Sequence, residues 1–169
     1  KMLLTLSEVI SSNFTNCHSY HDGGAIYTYV TIKTYDCIYI NCSAGIDQIG
    51  NGGAIYLGFI ATFDSDFITN SSFVDCSASG NGGVVSICTF ERQVYYNLIR
   101  QSNFTNCKSI ISGGAISTVR GYDIYGGDLI IENCFFEQCE SNYSGAVYTP
   151  DGSTSNDETQ ILLWIHDSD

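Results

Sequence analysis

Cysteine is the residue type with the most obvious chemistry in this chain, which carries eight cysteines in 169 residues. A dense and even set of thiols favours an oxidising compartment, in which cysteines pair as disulfides. The alternative is a set of buried thiols that pack as small hydrophobic side chains. A zinc site is not predicted, because no two cysteines have the C-x-x-C spacing of such sites. The disulfide candidates are Cys17, Cys37, Cys42, Cys76, Cys88, Cys107, Cys134 and Cys139.

Five Asn-x-Ser/Thr tripeptides form a second set of reactive positions, since this sequence accepts N-linked glycans in secreted proteins. Asn13 and Asn103 occupy the same place in two identical NFTNC segments, so their side chains should face the same way. Asn41 directly precedes Cys42, and crowding makes it a weaker acceptor. With the cysteines, these tripeptides predict a secreted eukaryotic protein, located outside the cell or on its surface. The acceptors are Asn13, Asn41, Asn70, Asn103 and Asn142.

Acidic residues raise the possibility of catalysis on a polysaccharide. Glycosidases need two carboxyl groups that face each other across a groove. Asp64 and Asp66 could supply them, with Asp36 nearby and Arg100 or Arg120 as a basic group. Because no equivalent acids recur along the chain to build a cleft, we favour solvated surface acids and predict no catalytic residues.

A metal site is the other chemistry that polar residues could support. His18, His21 and Asp22 lie close together in HSYHD, but no other segment of the chain repeats this pattern. A solvated loop is therefore the favoured interpretation, and neither a metal ion nor another cofactor is predicted.

The cysteines, glycan acceptors and acidic residues are distributed over an internal repeat, and the fold of this repeat determines where they lie. Five segments contain one or two glycines followed by a small and then an apolar residue, and their second glycines are 29, 30, 31 and 31 residues apart. Paired glycines suit a bend where one residue needs φ > 0 and where the next turn of backbone approaches closely. The glycines of these bends are Gly23, Gly24, Gly52, Gly53, Gly82, Gly83, Gly113, Gly114 and Gly145.

An aromatic-x-x-Cys segment precedes each glycine bend. Side chains alternate across a strand, which predicts that Phe14 points inward and Asn13 outward. Aromatic residues at one repeat position should then stack on each other, and the cysteines should form a parallel stack. The aromatic residues are Phe14, Tyr39, Phe73, Phe104 and Phe136.

Composition limits the classes of partner. Six basic against 18 acidic residues give a net charge of −12, which argues against nucleic acid because a phosphate backbone needs a basic stripe. The longest apolar run, ILLWI at 161–165, is far shorter than the ~20 residues of a membrane span. Membrane insertion of this segment is therefore not predicted.

The pattern predicts an all-β, right-handed parallel β-helix, a solenoid of about five turns of roughly 30 residues each. We expect a single segment over 1–169, with Ile26 next to Ile55 in successive turns. The resemblance of 161–169 to the start of another repeat predicts a fragment of a longer array. An antiparallel sandwich or a propeller is the alternative, although propeller repeats are longer. The expected turns are 9–37, 38–67, 68–98, 99–130 and 131–160, with a partial turn at 161–169.

GGAI followed by a strand, with an aromatic residue three positions before a fixed residue, resembles the repeats of the polymorphic outer membrane proteins. These are surface adhesins whose β-helix is similar to the pectin-lyase-like fold. Here cysteine replaces the final asparagine of their Phe-x-x-Asn motif, as in a cysteine-containing secreted variant. The resemblance covers nearly the whole chain and implies adhesion or surface display.

The expected function is that of an extracellular structural or adhesive rod. Its expected partners are other copies joined end to end, surface or matrix proteins, or glycans, in addition to its own N-linked glycans. The alternative is a β-helix polysaccharide lyase or glycoside hydrolase that uses surface acids.

Overall fold

A computed structural model describes residues 7–30, 32–58, 65–89, 96–120 and 128–149. Every regular element in these residues is a β-strand, and none of them forms a helix that is long and apolar enough to cross a bilayer. The all-β class is therefore confirmed. In chain order the strands are β1 (Ser7–Ile10), β2 (Asn13–Thr15), β3 (His18–Ser19), β4 (Ile26–Thr28), β5 (Ile32–Tyr35), β6 (Ile38–Ile40), β7 (Ser43–Ala44), β8 (Ile55–Leu57), β9 (Ser65–Thr69), β10 (Ser72–Val74), β11 (Ser77–Ala78), β12 (Val85–Thr89), β13 (Tyr96–Arg100), β14 (Asn103–Thr105), β15 (Lys108–Ser109), β16 (Ile116–Arg120), β17 (Asp128–Glu132), β18 (Phe135–Glu137) and β19 (Val147–Tyr148).

The strands form four parallel sheets, and successive repeats contribute successive strands to each sheet. Sheet A has the order β1-β5-β9-β13-β17, and sheet B has the order β2-β6-β10-β14-β18. Sheet C has the order β3-β7-β11-β15, and sheet D has the order β4-β8-β12-β16-β19. A parallel bridge from Lys108 to Glu140 extends sheet C into the next repeat. This topology confirms a parallel β-solenoid, whereas a sandwich or propeller would need antiparallel pairs. The expected partial turn at 161–169 lies outside the described residues.

The inner face of sheet D carries a stack of branched apolar residues. Ile26 pairs with Ile55, and the same register continues through Val85 and Ile116 to Val147. Three central members, at positions 55, 85 and 116, are fully buried. Because side chains alternate along a strand, a shift of one residue would turn this whole stack toward solvent.

The inner face of sheet B carries the aromatic stack. Phe14, Tyr39 and Phe73 are stacked with ring centroids 4.7 Å apart at both steps. Phe104 follows at 5.0 Å and Phe136 at 4.8 Å, and the planes of neighbouring rings differ by 10° at most. The ring spacing matches the ~4.8 Å between neighbouring strands, so the backbone ladder sets the geometry of the stack.

The two bends that flank sheet B use residues with positive φ. Asn16, Asn41, Asp75, Asn106 and Gln138 have φ between 51° and 56°, directly before the five stacked cysteines. Asparagine and aspartate are the non-glycine residues that enter this left-handed region most readily. At the other bend the residues with positive φ are Ser11, Asp36, Asn70, Gln101 and Asn133.

The two glycines of each complete Gly-Gly bend are required for different structural reasons. The first has a φ of 63° to 66° in four repeats, a conformation that glycine adopts without strain. The second lies against the next repeat: a methyl group on Gly53 would overlap the carbonyl oxygen of Gly83. In the fifth repeat Ser144 takes the first place, and a methyl group on Gly145 would meet no atom of the described residues within 4 Å.

Candidate functional site

A groove runs across sheet C, parallel to the solenoid axis, and encloses about 520 Å³. Its small serine and alanine side chains leave room that the bulkier residues of the other sheets would fill. The segments that follow each strand of sheet C also contribute to its lining. The lining residues are Ser43, Ala44, Gly45, Ile46, Ser77, Ala78, Ser79, Lys108, Ser109, Ile110, Glu140, Ser141 and Asn142.

The groove combines hydroxyl groups, one charge pair and apolar side chains. Lys108 Nζ lies 3.8 Å from Glu140 Oε2, and both side chains are largely exposed. Ile46 and Ile110 are 54% and 58% exposed and add apolar surface to the groove. Binding sites commonly pair apolar surface with a few polar groups that fix orientation. This composition suits a ligand with many hydroxyl or amide groups.

An insertion in the second repeat contributes Gly45 and Ile46 to the groove. Nine residues lie between Cys42 and the following Gly-Gly, against five between Cys17 and Gly23 in the first repeat. Within the insertion, Gly45 has a φ of 80°, and Gln48 donates from Nε2 to the carbonyl oxygen of Tyr20 at 3.2 Å. The longer segment therefore rests on the preceding repeat.

A ladder of polar side chains stands directly before the Gly-Gly bends. The Asp22 carboxylate accepts hydrogen bonds from both the backbone and the side-chain nitrogen of Asn51, at 2.7 and 2.9 Å. Asn51 Oδ1 accepts the same pair of bonds from Asn81, and Asn81 Oδ1 accepts a bond from Ser112 Oγ. These bonds fix the bends of successive repeats to each other. This ladder was not predicted, although an Asp, Asn or Ser before each of the four Gly-Gly pairs was a visible signal in the sequence.

The residues considered for a metal site have separate partners. His18 Nδ1 lies 2.7 Å from Ser43 Oγ, and His21 Nδ1 lies 2.7 Å from Gln48 Nε2. Asp22 is engaged by Asn51, as described above. Among the residues that the structure describes, no group of three histidines, cysteines or acids is arranged to hold a metal ion.

The acids considered for catalysis are only partly within the described residues. Asp64 lies outside them, as do the side chains of Asp66 and Arg120. Asp36 Oδ1 accepts a bond of 2.6 Å from Asn70 Nδ2 at the first bend of sheet B. Arg100 forms an ion pair of 3.5 Å with Glu132 of the next repeat.

The five cysteines that follow the bends with positive φ form a stack along the solenoid. They are Cys17, Cys42, Cys76, Cys107 and Cys139. The backbone hydrogen bonds from Ser43 to Cys17 and from Ser77 to Cys42, both 2.9 Å, tie neighbouring members together. The central three are fully buried, and all eight cysteines of the chain are present as thiols. This stack places nucleophilic groups of adjacent repeats next to each other.

Contacts between these thiols change their pKa values. A hydrogen bond with the thiol of Cys76 lowers the pKa of Cys42 to about 7, and the same contact raises the pKa of Cys76. In the same way, Cys107 lowers the pKa of Cys139 to about 7 while its own pKa is raised. Burial raises the pKa of Cys17, and so does its own contact with the thiol of Cys42. Each contact therefore joins one thiol that ionises readily to one that does not.

The remaining cysteines occupy other positions. Cys37 lies at the first bend of sheet B, where its backbone nitrogen donates to Ser71 Oγ at 3.2 Å. Cys134 occupies the equivalent position three repeats later, and burial raises its pKa to about 11. Cys88 lies on β12 in sheet D, where it pairs in register with Val119.

All five glycan acceptors are exposed to solvent. Asn13 and Asn103 lie on the outer face of sheet B, while Asn41 and Asn70 occupy bends with positive φ. Asn41 Nδ2 donates to Asn16 Oδ1 at 2.7 Å, so this acceptor amide is already engaged. Asn142 lines the groove on sheet C.

Comparisons of this chain with protein-family models, with curated proteins and with solved structures gave no match.

Proposed function

We propose that this chain is part of an extracellular, N-glycosylated rod of a eukaryotic cell surface, with a structural and adhesive role and no catalytic role. The observation that carries this proposal is the exposure of all five acceptor asparagines on a coil whose inner positions are apolar. The resemblance of the GGAI and aromatic-x-x-Cys repeats to those of polymorphic outer membrane proteins, with their pectin-lyase-like β-helix, supports the same role.

Stiffness follows from the way each repeat is held. Backbone hydrogen bonds join neighbouring repeats in all four sheets, and the aromatic and apolar stacks continue from one repeat to the next. In such solenoids each repeat is stabilised by contacts with its neighbours, so bending the array would disturb hydrogen bonds and packing between repeats. A rod of this kind suits the display of a binding surface at a distance from the membrane. Other copies, added end to end, would extend it further.

The groove on sheet C is the surface that we assign to adhesion. Its serine hydroxyls, its Lys108–Glu140 pair and its exposed isoleucines together suit glycans or extended segments of surface and matrix proteins. The groove spans four repeats, or about 14 Å at the ordinary strand spacing.

Glycan attachment gives the first test. Expressed in the secretory pathway of a eukaryotic cell, the chain should carry glycans at Asn13 and Asn103, on the outer face of sheet B. Asn41 should stay largely unmodified, because its amide is bonded to Asn16 beside a buried cysteine. Mass spectrometry of glycopeptides measures the occupancy of each acceptor. T15A and T105A remove two acceptors without changing the asparagines, and a chain that enters the pathway yet stays unmodified at every acceptor contradicts the proposal.

Adhesion gives the second test. The purified glycoprotein should bind at least one member of a panel of immobilised glycans, collagen, fibronectin and laminin. Filling the groove with Ser77→Tyr should weaken that binding about tenfold, equivalent to ~1.4 kcal/mol. Val74→Tyr is the matched control, because it adds a tyrosine to the neighbouring sheet of the same repeat. Surface plasmon resonance would contradict the groove assignment if both variants bound as the unmodified chain does.

A further inference from the structure

The five stacked cysteines stand at one position of successive repeats. The residues on both sides of them pair in register: Thr15 with Ile40 before the stack, and His18 with Ser43 after it. In-register neighbours in parallel strands have Cα atoms ~4.8 Å apart, within the ~4.4–6.8 Å that a disulfide requires. The Cα spacing therefore allows adjacent members of the stack to be joined.

Pairs within one repeat do not meet this requirement. Cys37 and Cys42 are separated by the whole of β6, and Cys134 and Cys139 by the whole of β18. Three extended residues span ~10 Å, which exceeds the ~7 Å limit for a disulfide. Both local pairings are therefore excluded.

The three cysteines outside the stack have other residue types next to them. The neighbour of Cys37 in the following repeat is Ser71, whose own backbone nitrogen bonds to Ser102 Oγ. Cys134 is next to Ser102 in the preceding repeat, since the backbone nitrogen of Phe135 donates to the carbonyl oxygen of Ser102. Cys88 is next to Val119 in a different sheet. All possible disulfides thus lie within the stack of five.

Contacts between thiols favour one set of pairings within the stack. Cys42 contacts both Cys17 and Cys76, and of these two neighbours Cys76 has the larger effect on its pKa, while Cys107 contacts Cys139. We infer that this chain forms two disulfides between adjacent repeats, Cys42–Cys76 and Cys107–Cys139, and keeps Cys17 as a partly exposed thiol. The inference rests on the proposed extracellular function, because a cytosolic chain would be kept reduced.

The chemistry is a pair of thiol–disulfide exchanges. A thiolate attacks a disulfide oxidant of the glutathione type, forms a mixed disulfide and releases one oxidant thiol. The second cysteine, after losing its proton, then attacks the protein sulfur and releases the other oxidant thiol. For each bond, two protein thiols lose two protons and two electrons, and the oxidant disulfide takes them up. Cys42 and Cys139, with pKa values of about 7, are the expected first attackers.

Refolding in a mixture of reduced and oxidised glutathione tests the connectivity independently of secretion. After alkylation of free thiols and digestion at acidic and basic residues, mass spectrometry should find the two linked peptides. Cys17, Cys37, Cys88 and Cys134 should be alkylated. Reduction of the refolded chain should lower its melting temperature. A Cys17–Cys42 or Cys76–Cys107 link, or a fully alkylated chain, would overturn the inference.

Two variants separate loss of a disulfide from loss of the fold. Cys76→Ser should abolish only the first link and leave Cys107–Cys139 intact, whereas Cys88→Ser should leave both. The same mapping on chain secreted by a eukaryotic cell separates the two proposals. If the secreted chain carries glycans but all its cysteines are reduced, the disulfide inference is wrong and the proposed function stands. If the refolded chain forms both disulfides but is neither secreted nor glycosylated in cells, the proposed function is wrong and the inferred pairing stands.

Discussion

Gly53→Ala is expected to destabilise the solenoid by about 3 kcal/mol, the upper end of the usual range for overpacked sites. The added methyl group would overlap the carbonyl oxygen of Gly83 and the backbone of Ser77. Both obstacles are backbone atoms held by the hydrogen bonds of the next repeat, so a side-chain rotation cannot relieve the overlap. Urea unfolding followed by circular dichroism measures the change in the free energy of unfolding.

Gly145→Ala is the matched control. It makes the same chemical change at the equivalent position of the fifth repeat, where a methyl group meets no atom within 4 Å in the part of the chain that the structure describes. The expected change in stability is within about 0.5 kcal/mol, as for ordinary surface substitutions. Similar losses for both variants would mean that the two glycines act through backbone flexibility, which would contradict the close approach between repeats.

The glycine bends also show how far a sequence can predict this fold. Five copies of one pattern at a period near 30 require a unit that cannot bury a core alone, and this predicted stacked repeats. The sequence predicts that one glycine of each pair needs positive φ and that the next turn approaches closely, but it does not say which glycine has which role. Only the structure divides these two duties between the first and second glycine.

The bends around sheet B escaped prediction. Their residues with positive φ are asparagine or aspartate in most repeats, but Ser11, Gln101 and Gln138 occupy the same conformation. The tolerance of glutamine and serine arises because the backbone ladders on both sides fix the bend, whatever the residue's own preference. Because hydrogen bonds to neighbouring repeats stabilise these bends, several residue types are tolerated there. Steric overlap in the Gly-Gly bends admits only glycine, which makes those bends easier to recognise in the sequence.

The groove could not be predicted from the repeat, because it depends on the segments in which the repeats differ. Its length and walls follow from the short side chains of sheet C and from the four additional residues after Cys42. The cysteine stack is the opposite case. The cysteines recur at the same position of every repeat, so their spacing in the sequence already predicts that they stack. Only the contacts between particular thiols required the structure.

Phe73→Ala is expected to cost about 3–5 kcal/mol, the usual loss for removing a buried aromatic side chain. Phe73 is fully buried, and its ring is stacked between Tyr39 at 4.7 Å and Phe104 at 5.0 Å. Alanine would leave a cavity between two rings that the backbone ladder keeps apart, so neither ring can move in to fill it. The loss of stability should therefore reach the upper part of that range, measured by urea unfolding.

Two further phenylalanines turn this prediction into a graded series. Among the described residues Phe14 stacks on the ring of Tyr39 only, and it is partly buried, so Phe14→Ala should cost less than Phe73→Ala. Phe135 lies beside Phe136 in β18 but points outward and is 57% exposed, and Phe135→Ala should change stability by less than about 1 kcal/mol. Equal losses at Phe73 and Phe135 would show that the two faces of sheet B are not distinguished as described. Because the solenoid depends on one inward face in every repeat, the order Phe73, Phe14, Phe135 is the measurement that bears most directly on the fold.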